Sequence, residues 1–274
     1  MRILLTGAGG QLGQDLQAVL RDEVVDARDH GALDISDEAA VLATVRETGP
    51  QWVINAAAYN DVDRAEIAED EAFAVNARGP ANLAAAAVNA GLVHISTDYV
   101  FDGRKGEAYT EADPPHPLSV YGRSKYEGER SVLESKASVY VLRTAWLFGV
   151  HGKNFVKAIL EKAKEGRPLD VVADQVGSPT STRDLAEAIN RLIRTQAHGL
   201  FHVANAGACS RFEFAKAIVR GAVEVRPITS AQASRPAPRP ANSSLASIRW
   251  PSLGLPPLRP WQAALDDFLD AIAV

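Results

Sequence analysis

The run Thr6-Gly7-Ala8-Gly9-Gly10-Gln11-Leu12-Gly13 constrains this chain more than any other stretch, because of what flanks it. It follows an apolar strand pattern, Ile3 to Thr6, and leads into a helical pattern, Gln11 to Leu20. The glycines at 7, 10 and 13 then have separate physical tasks. They permit unusual backbone angles at the turn, let main-chain amides approach a pyrophosphate at a helix N-terminus, and let helix and strand pack closely. Strand, glycine turn and helix in this order predict a dinucleotide-binding βαβ unit. The carboxylate for the adenosine ribose is Asp26, predicted at the end of a second strand over Glu23 to Asp26, which favours NADH. Arg28 has the charge to pair with the extra phosphate of NADPH, so the residues leave NADH and NADPH both open. Asp34 and Ile35 are placed to line an adenine pocket, the alternative being that Ser36 and Asp37 simply start a helix.

The alternation continues for about 150 residues. Trp52 to Asn55, Val93 to Ser96 and Tyr140 to Thr144 read as strands, and Asp37 to Glu47, Val75 to Ala90 and Tyr121 to Leu133 as crossover helices. This predicts an α/β fold, a Rossmann-like doubly wound parallel sheet over residues 1–150. Residues 151–274 are predicted to form mainly a smaller substrate-binding lobe, with some segments returning to the first domain. Its helices fall at Asn154 to Lys164, Thr182 to Arg194, Arg211 to Val219 and Trp261 to Ile272, with short strands near Leu169 and Phe201. Residues 226–260 hold eight of the fifteen prolines, which excludes a regular helix there and predicts an irregular segment over the surface.

Lys plus Arg number 29 against 34 Asp plus Glu, a net charge of −5 with no long run of one sign, which argues against a nucleic-acid partner. No stretch approaches the roughly 18 apolar residues of a membrane span, and the expectation is a cytoplasmic protein without a membrane partner. The single cysteine, Cys209, excludes an internal disulfide and offers no zinc cluster.

Tyr121 and Lys125 sit four residues apart on a predicted helix, which places phenol and ammonium on one face. A free tyrosine has a pKa of about 10, and a neighbouring ammonium is expected to lower it toward the range of proton transfer. Thr97 ends the fourth strand, at the sheet edge where such folds place ligands, and its hydroxyl can share a substrate oxygen with Tyr121. Asn55-Ala56-Ala57-Ala58 ends the third strand with side chains small enough for a cofactor to lie close.

In order, the glycine loop, Asn55-Ala56-Ala57, Val75-Asn76, Ser96-Thr97-Asp98 and Tyr121-Gly122-Arg123-Ser124-Lys125 resemble the extended short-chain dehydrogenase/reductase family. The resemblance spans nearly the whole chain. Within that family, Gly10-Gln11-Leu12-Gly13, Val62-Asp63-Arg64-Ala65-Glu66, Ser96-Thr97-Asp98-Tyr99-Val100-Phe101 and Arg143-Thr144-Ala145-Trp146 are similar to a branch that reduces keto-deoxysugar nucleotides. So are Asp174 to Thr180 and Arg239 to Leu245, which assigns the proline-rich tract to substrate binding.

The resemblance implies reduction of the C4 ketone of dTDP-6-deoxy-L-lyxo-4-hexulose to dTDP-L-rhamnose. Thr97, Tyr121 and Lys125 would be catalytic. The cofactor would meet Gly7, Gly10, Gln11, Leu12, Gly13, Asp26, Asp34, Ile35, Ala57, Ala58, Tyr59, Tyr121 and Lys125. The nucleotide sugar would meet Asn60, Val62, Thr97, Asp98, Tyr99, Tyr121 and Trp146. Asn60-Asp61 departs from the Thr-Ala often found there. Some members pair through magnesium held by a carboxylate on the first helix, for which Asp15 is the candidate, so monomer and homodimer are both expected states. Tyr99 follows Asp98 where a sugar-nucleotide dehydratase needs a Glu, which argues against dehydration. An epimerase, and a non-catalytic regulatory subunit resembling that of methionine adenosyltransferase, stay open as alternatives.

Overall fold

The apolar runs of the N-terminal half form strands because both faces of the sheet they enter are covered. In the computed structural model, whose described residues are 1–195 and 197–272, five parallel strands come first. They are β1 (Arg2–Thr6), β2 (Val24–Arg28), β3 (Trp52–Asn55), β4 (Gly91–Thr97) and β5 (Ser138–Thr144). A sixth strand, Gly199–His202, pairs in parallel with β5, and the order across the sheet is Gly199–His202, β5, β4, β3, β1, β2. Ile3 and Leu5 point into one apolar core and Leu4 into the other. Successive residues are therefore all buried, so the runs are continuous rather than alternating.

The chain moves outward from β1 to β2 and then returns past β1 to start β3. This reversal leaves a crevice beyond the carboxyl ends of β1 and β3, where open α/β sheets take their ligands. α1 (Gln11–Val19) and the helix Thr182–Leu192 cover one face, sharing a core with Leu16, Leu185 and Ile189. α2 (Glu38–Thr48), Gly79–Ala86 and Val120–Leu133 cover the other. A separate cluster, with Phe148, Leu169, Phe214, Trp261 and Phe268, lies among the helices Phe155–Ala163, Arg211–Val219 and Trp261–Ile272. Each such side chain contributes about 1.5–3 kcal/mol by burial.

Two of the differences from the pattern in the sequence bear on the site. The second strand runs on to Arg28, so Asp26 lies in its middle, paired in register with Leu4, and not at its end. The third crossover helix begins early, at Glu69, passes through a π-helical turn over Ala74–Arg78, and stops at Ala86. Pro80 explains the wide turn: it has no N–H to give the carbonyl of Asn76, and the ladder is reset around it. That carbonyl packs against Gly128 so closely that a Cβ there would sit 2.1 Å from it.

The proline-rich tract is a strap. Val225–Ile228 pairs with Leu169–Val172. Beyond it, Asn242 donates to the carbonyl of Lys105 at 2.9 Å, Ser243 N donates to the carbonyl of Val176 at 2.8 Å, and Ser247 donates to the Glu111 carboxylate. Its backbone polar groups are satisfied by other loops, which a free connector could not do.

Candidate active site

Two adjoining cavities occupy the crevice. The larger, about 800 Å³, is bordered by Gly7, Gly10, Asp34, Ile35, Tyr59 and Val75. The smaller, about 330 Å³, runs from Gln11 and Leu12 past Thr97 and Asp98 to Tyr121, Lys125 and Trp146. Gly10, Ala57, Ala58 and Asn60 border both, so the pair forms one bent cleft.

The glycine loop fits a dinucleotide for reasons visible in its packing. Gly7 has φ +70°, and a Cβ on it would lie 2.5 Å from the amide nitrogen of Ala57. A Cβ on Gly13 would lie 2.3 Å from the carbonyl of Gly7, so Gly13 serves helix–strand contact and borders neither cavity. α1 is capped by Gly10 with no side-chain bond, whereas Asp37, Ser119 and Ser210 cap α2, Val120–Leu133 and Arg211–Val219. The first turn of α1 thus keeps amide donors for an anion at the positive end of its dipole.

Asp26 does not border the cleft. Its carboxylate takes the Nε and Nη2 of Arg28 at 2.6 and 3.0 Å, and Asp29 and His30 stand at the cavity edge instead. The opposed charges that left the cofactor undecided neutralise each other. Asp34 is held below its ordinary pKa by the hydroxyl and amide of Ser36.

Small polar bonds fix the strand ends. Asn55 accepts the Thr6 hydroxyl at 2.8 Å and lies 3.1 Å from Nδ1 of His94. Burial, then the charge of Lys125, hold His94 well below its ordinary pKa, so it is neutral. Asn76 clamps the backbone of Tyr59 from both sides, at 2.8 and 3.0 Å, and donates to Ser124 of the Val120–Leu133 helix at 3.0 Å. Val62 opens a short helix capped by Asp61, which accepts the amide of Arg64 at 3.0 Å; Val62 borders neither cavity.

Burial raises the Tyr121 phenol well above its usual pKa, partly offset by the nearby Thr97 hydroxyl, which itself donates to the Asp98 carboxylate at 3.1 Å. This reverses the expectation that Lys125 acidifies it. In this structure the Lys125 ammonium donates to the carbonyl of Ile95 at 2.5 Å, and burial brings its pKa down to about 8, against the opposing charge of Glu129. Tyr121 is therefore protonated at neutral pH, the form a proton donor requires.

Asp98 is buried, with a pKa pushed up to about 6, while the hydroxyls of Ser243 and Thr97 and the charge of Arg211 pull the other way. Ser243, on the strap, donates to it at 2.5 Å. Tyr99 borders neither cavity; its ring meets Tyr121 edge-on, centroids 5.7 Å apart. Trp146 adopts φ +47°, a backbone conformation rare outside glycine, and its indole lies where a Cβ on Gly177 would be, 2.3 Å away. Arg211 covers the indole face with its guanidinium 3.5 Å from the centroid.

Sequence reasoning missed Arg211, Gly177 and Ser243 as neighbours of the site, because they come from distant turns with no local chemical pattern. Asp15, the candidate magnesium ligand, is buried and accepts the Thr182 hydroxyl. Among the described residues, no three His, Cys, Asp or Glu side chains are grouped to hold a metal ion, and no helix is long and apolar enough to cross a membrane.

Known proteins share this sequence and this fold. The family model described as the RmlD substrate binding domain matches residues 1–274. A relative from Streptomyces antibioticus, named a probable dTDP-4,6-dihydroxy-2-methyloxan-3-one 4-ketoreductase, is 44% identical and the match covers 100% of this chain and 96% of the relative. The dTDP-4-dehydrorhamnose reductase of Mycobacterium tuberculosis is 46% identical, over 99% and 93%. The crystal structure of dTDP-4-dehydrorhamnose reductase from Bacillus anthracis, in complex with NADP, superposes with a TM-score of 0.96 at 41% identity, over 98% of this chain and 99% of that one. With a match along its whole length and relatives this similar, the chain belongs to the RmlD substrate binding domain family.

Proposed function

We propose that this chain is an NAD(P)H-dependent dTDP-4-dehydrorhamnose reductase, converting the C4 ketone of dTDP-6-deoxy-L-lyxo-4-hexulose into the hydroxyl of dTDP-L-rhamnose. The observation that carries this reading is that Thr97, Tyr121 and Lys125 line one cavity that adjoins the glycine-loop cleft.

The chemistry a nicotinamide supplies when bound is hydride. The first-turn amides of α1 would hold its pyrophosphate, Asp34, Ile35 and Tyr59 its adenosine half, and Lys125 its nicotinamide ribose. Thr97 and Tyr121 would both bond the ketone oxygen. Tyr121 gives that oxygen its proton, and the ammonium of Lys125 stabilises the phenolate left behind. The neutralised Asp26–Arg28 pair leaves no free carboxylate from that position to repel a 2′-phosphate, and the Bacillus anthracis relative was solved with NADP; both support NADPH.

The lobe and strap, contributed mostly from beyond residue 150, would close the substrate side of the site, which they reach through Ser243 on Asp98 and Arg211 on Trp146. Arg211 has no carboxylate within ion-pair distance among the described residues, and it supplies the charge an anionic nucleotide sugar needs. The name of the Streptomyces antibioticus relative favours a second reading, in which a different dTDP-linked sugar is reduced by the same residues.

The test is absorbance at the reduced-nicotinamide band with NADPH and NADH in parallel, against both keto-sugar nucleotides. Consumption that requires one of the sugars supports the reading. A cofactor retained through purification, with no net consumption, points to an epimerase, and complete inertness points to a regulatory subunit.

A further inference from the structure

Glu129 follows Lys125 by four residues, as Lys125 follows Tyr121, so the three share one face of the Val120–Leu133 helix. The reaction just described does not use it. Glu129 is fully buried and bonded to two strands: it accepts the Ser96 hydroxyl of β4 at 2.5 Å, and Nε and Nη2 of Arg143 on β5 at 2.9 and 2.7 Å. Ser96 directly precedes Thr97, and Arg143 directly precedes Thr144 on the cavity wall. The clamp therefore spans the two chain segments whose spacing fixes Tyr121 against Thr97.

A buried carboxylate–guanidinium pair is a poor source of stability, because desolvation cancels most of the attraction, and well-packed apolar side chains would hold helix on sheet as firmly. What apolar side chains could not supply is a negative charge one turn from a buried ammonium. Among the described residues Lys125 has no carboxylate within ion-pair distance; its direct bond is to the carbonyl of Ile95. Around it stand Tyr121 and Glu129 on its own helix, His94 on β4, Asp98 and Tyr99 beyond β4, and Arg143 on β5. His94 is neutral, Asp98 is turned to Ser243, and Arg143 is bound to Glu129.

We propose that Glu129, fixed by Arg143 and Ser96, is a positioning residue whose charge keeps Lys125 protonated and whose bonds keep Lys125 and Tyr121 in register with Thr97. Only the consequence for turnover rests on the reductase reading; the effect on Lys125 does not.

The experiment uses the full chain with ¹³C-labelled lysine, the Lys125 resonance being assigned with Lys125→Arg and its titration followed by NMR without cofactor or substrate. Glu129→Gln is expected to move the Lys125 midpoint down by about one pH unit. The alkaline limb of kcat should move the same way, with kcat at pH 8 falling about tenfold or more and KM far less affected. Glu129→Asp should restore part of both. Because Glu129→Gln strands the Arg143 charge, which by itself lowers the Lys125 midpoint, Glu129→Gln/Arg143→Met is measured beside it, and a smaller shift in the same direction is expected in that variant. A folded variant with an unmoved Lys125 midpoint and an unmoved pH profile overturns the proposal. If the parent reduces no keto-sugar nucleotide, the reductase reading fails while the Lys125 titration still decides the role of Glu129.

Discussion

Arg211 lies flat on the indole of Trp146, its guanidinium carbon 3.5 Å from the ring centroid, so the face expected to meet a sugar ring is covered by a charge. The stack holds the guanidinium without a carboxylate partner among the described residues, and in the proposed reaction its N–H groups would meet an anionic substrate. Arg211→Gln should raise KM for the nucleotide sugar about 10- to 100-fold, the value of one charge-assisted contact, with a smaller change in kcat. Steady-state kinetics decide it; an unchanged KM would remove Arg211 from substrate recognition.

Gly177 sets the position of that stack from the other side. A methyl there would meet the indole at 2.3 Å, closer than any real contact, so Gly177→Ala should displace Trp146 and lower kcat/KM by about tenfold. Tryptophan fluorescence should shift in the same variant. Unaltered emission together with full activity would show that the indole is free to move.

Lys125 is held in its charged form at a cost to stability. Its pKa is lowered from 10.5 to about 8, so its contribution to stability is present above pH 10.5 and lost as pH falls through 8. Replacing it with Met should therefore raise the unfolding free energy at pH 7, by an amount on the order of 3 kcal/mol less its lost bond to Ile95, and with it the melting temperature, while abolishing turnover. Thermal unfolding from pH 7 to 10 reads the sign: the gain of Lys125→Met over the parent must shrink as pH rises.

Asp98 behaves in the opposite sense. Its pKa rises from 3.8 to about 6, so the stability it contributes is full below pH 3.8 and lost as pH rises through 6. Asp98→Asn should flatten the fall of melting temperature between pH 4 and 6. A parent-like slope in that variant would assign the fall to other groups.

The fold was legible because its chemistry is local. Doubly covered strands give continuous apolar runs such as Ile3 to Thr6, and a glycine turn between strand and helix has few other uses. Tyr121, Lys125 and Thr97 were legible for the same reason, their relation being set by one helical turn and one strand end. The surroundings of Asp26 are not legible in the sequence, because the strand runs two residues further, to Arg28, and whether Arg28 turns to Asp26 or to a ligand depends on side-chain geometry. The π-helical turn at Ala74–Arg78 escaped because the carbonyl freed by Pro80 matters only against Gly128, far along the chain. Arg211, Ser243 and Gly177 reach the site through tertiary contacts that no spacing encodes.

The role of the Tyr121 phenol in the proposed reaction is that of proton donor, kept protonated by burial beside Thr97. Its most direct test is NADPH oxidation by Tyr121→Phe in the presence of the keto-sugar nucleotide, with cofactor affinity measured separately by fluorescence titration. The expected kcat is lower by a factor of about 10² to 10⁴ with cofactor affinity nearly unchanged. Turnover within a few-fold of the parent would contradict it.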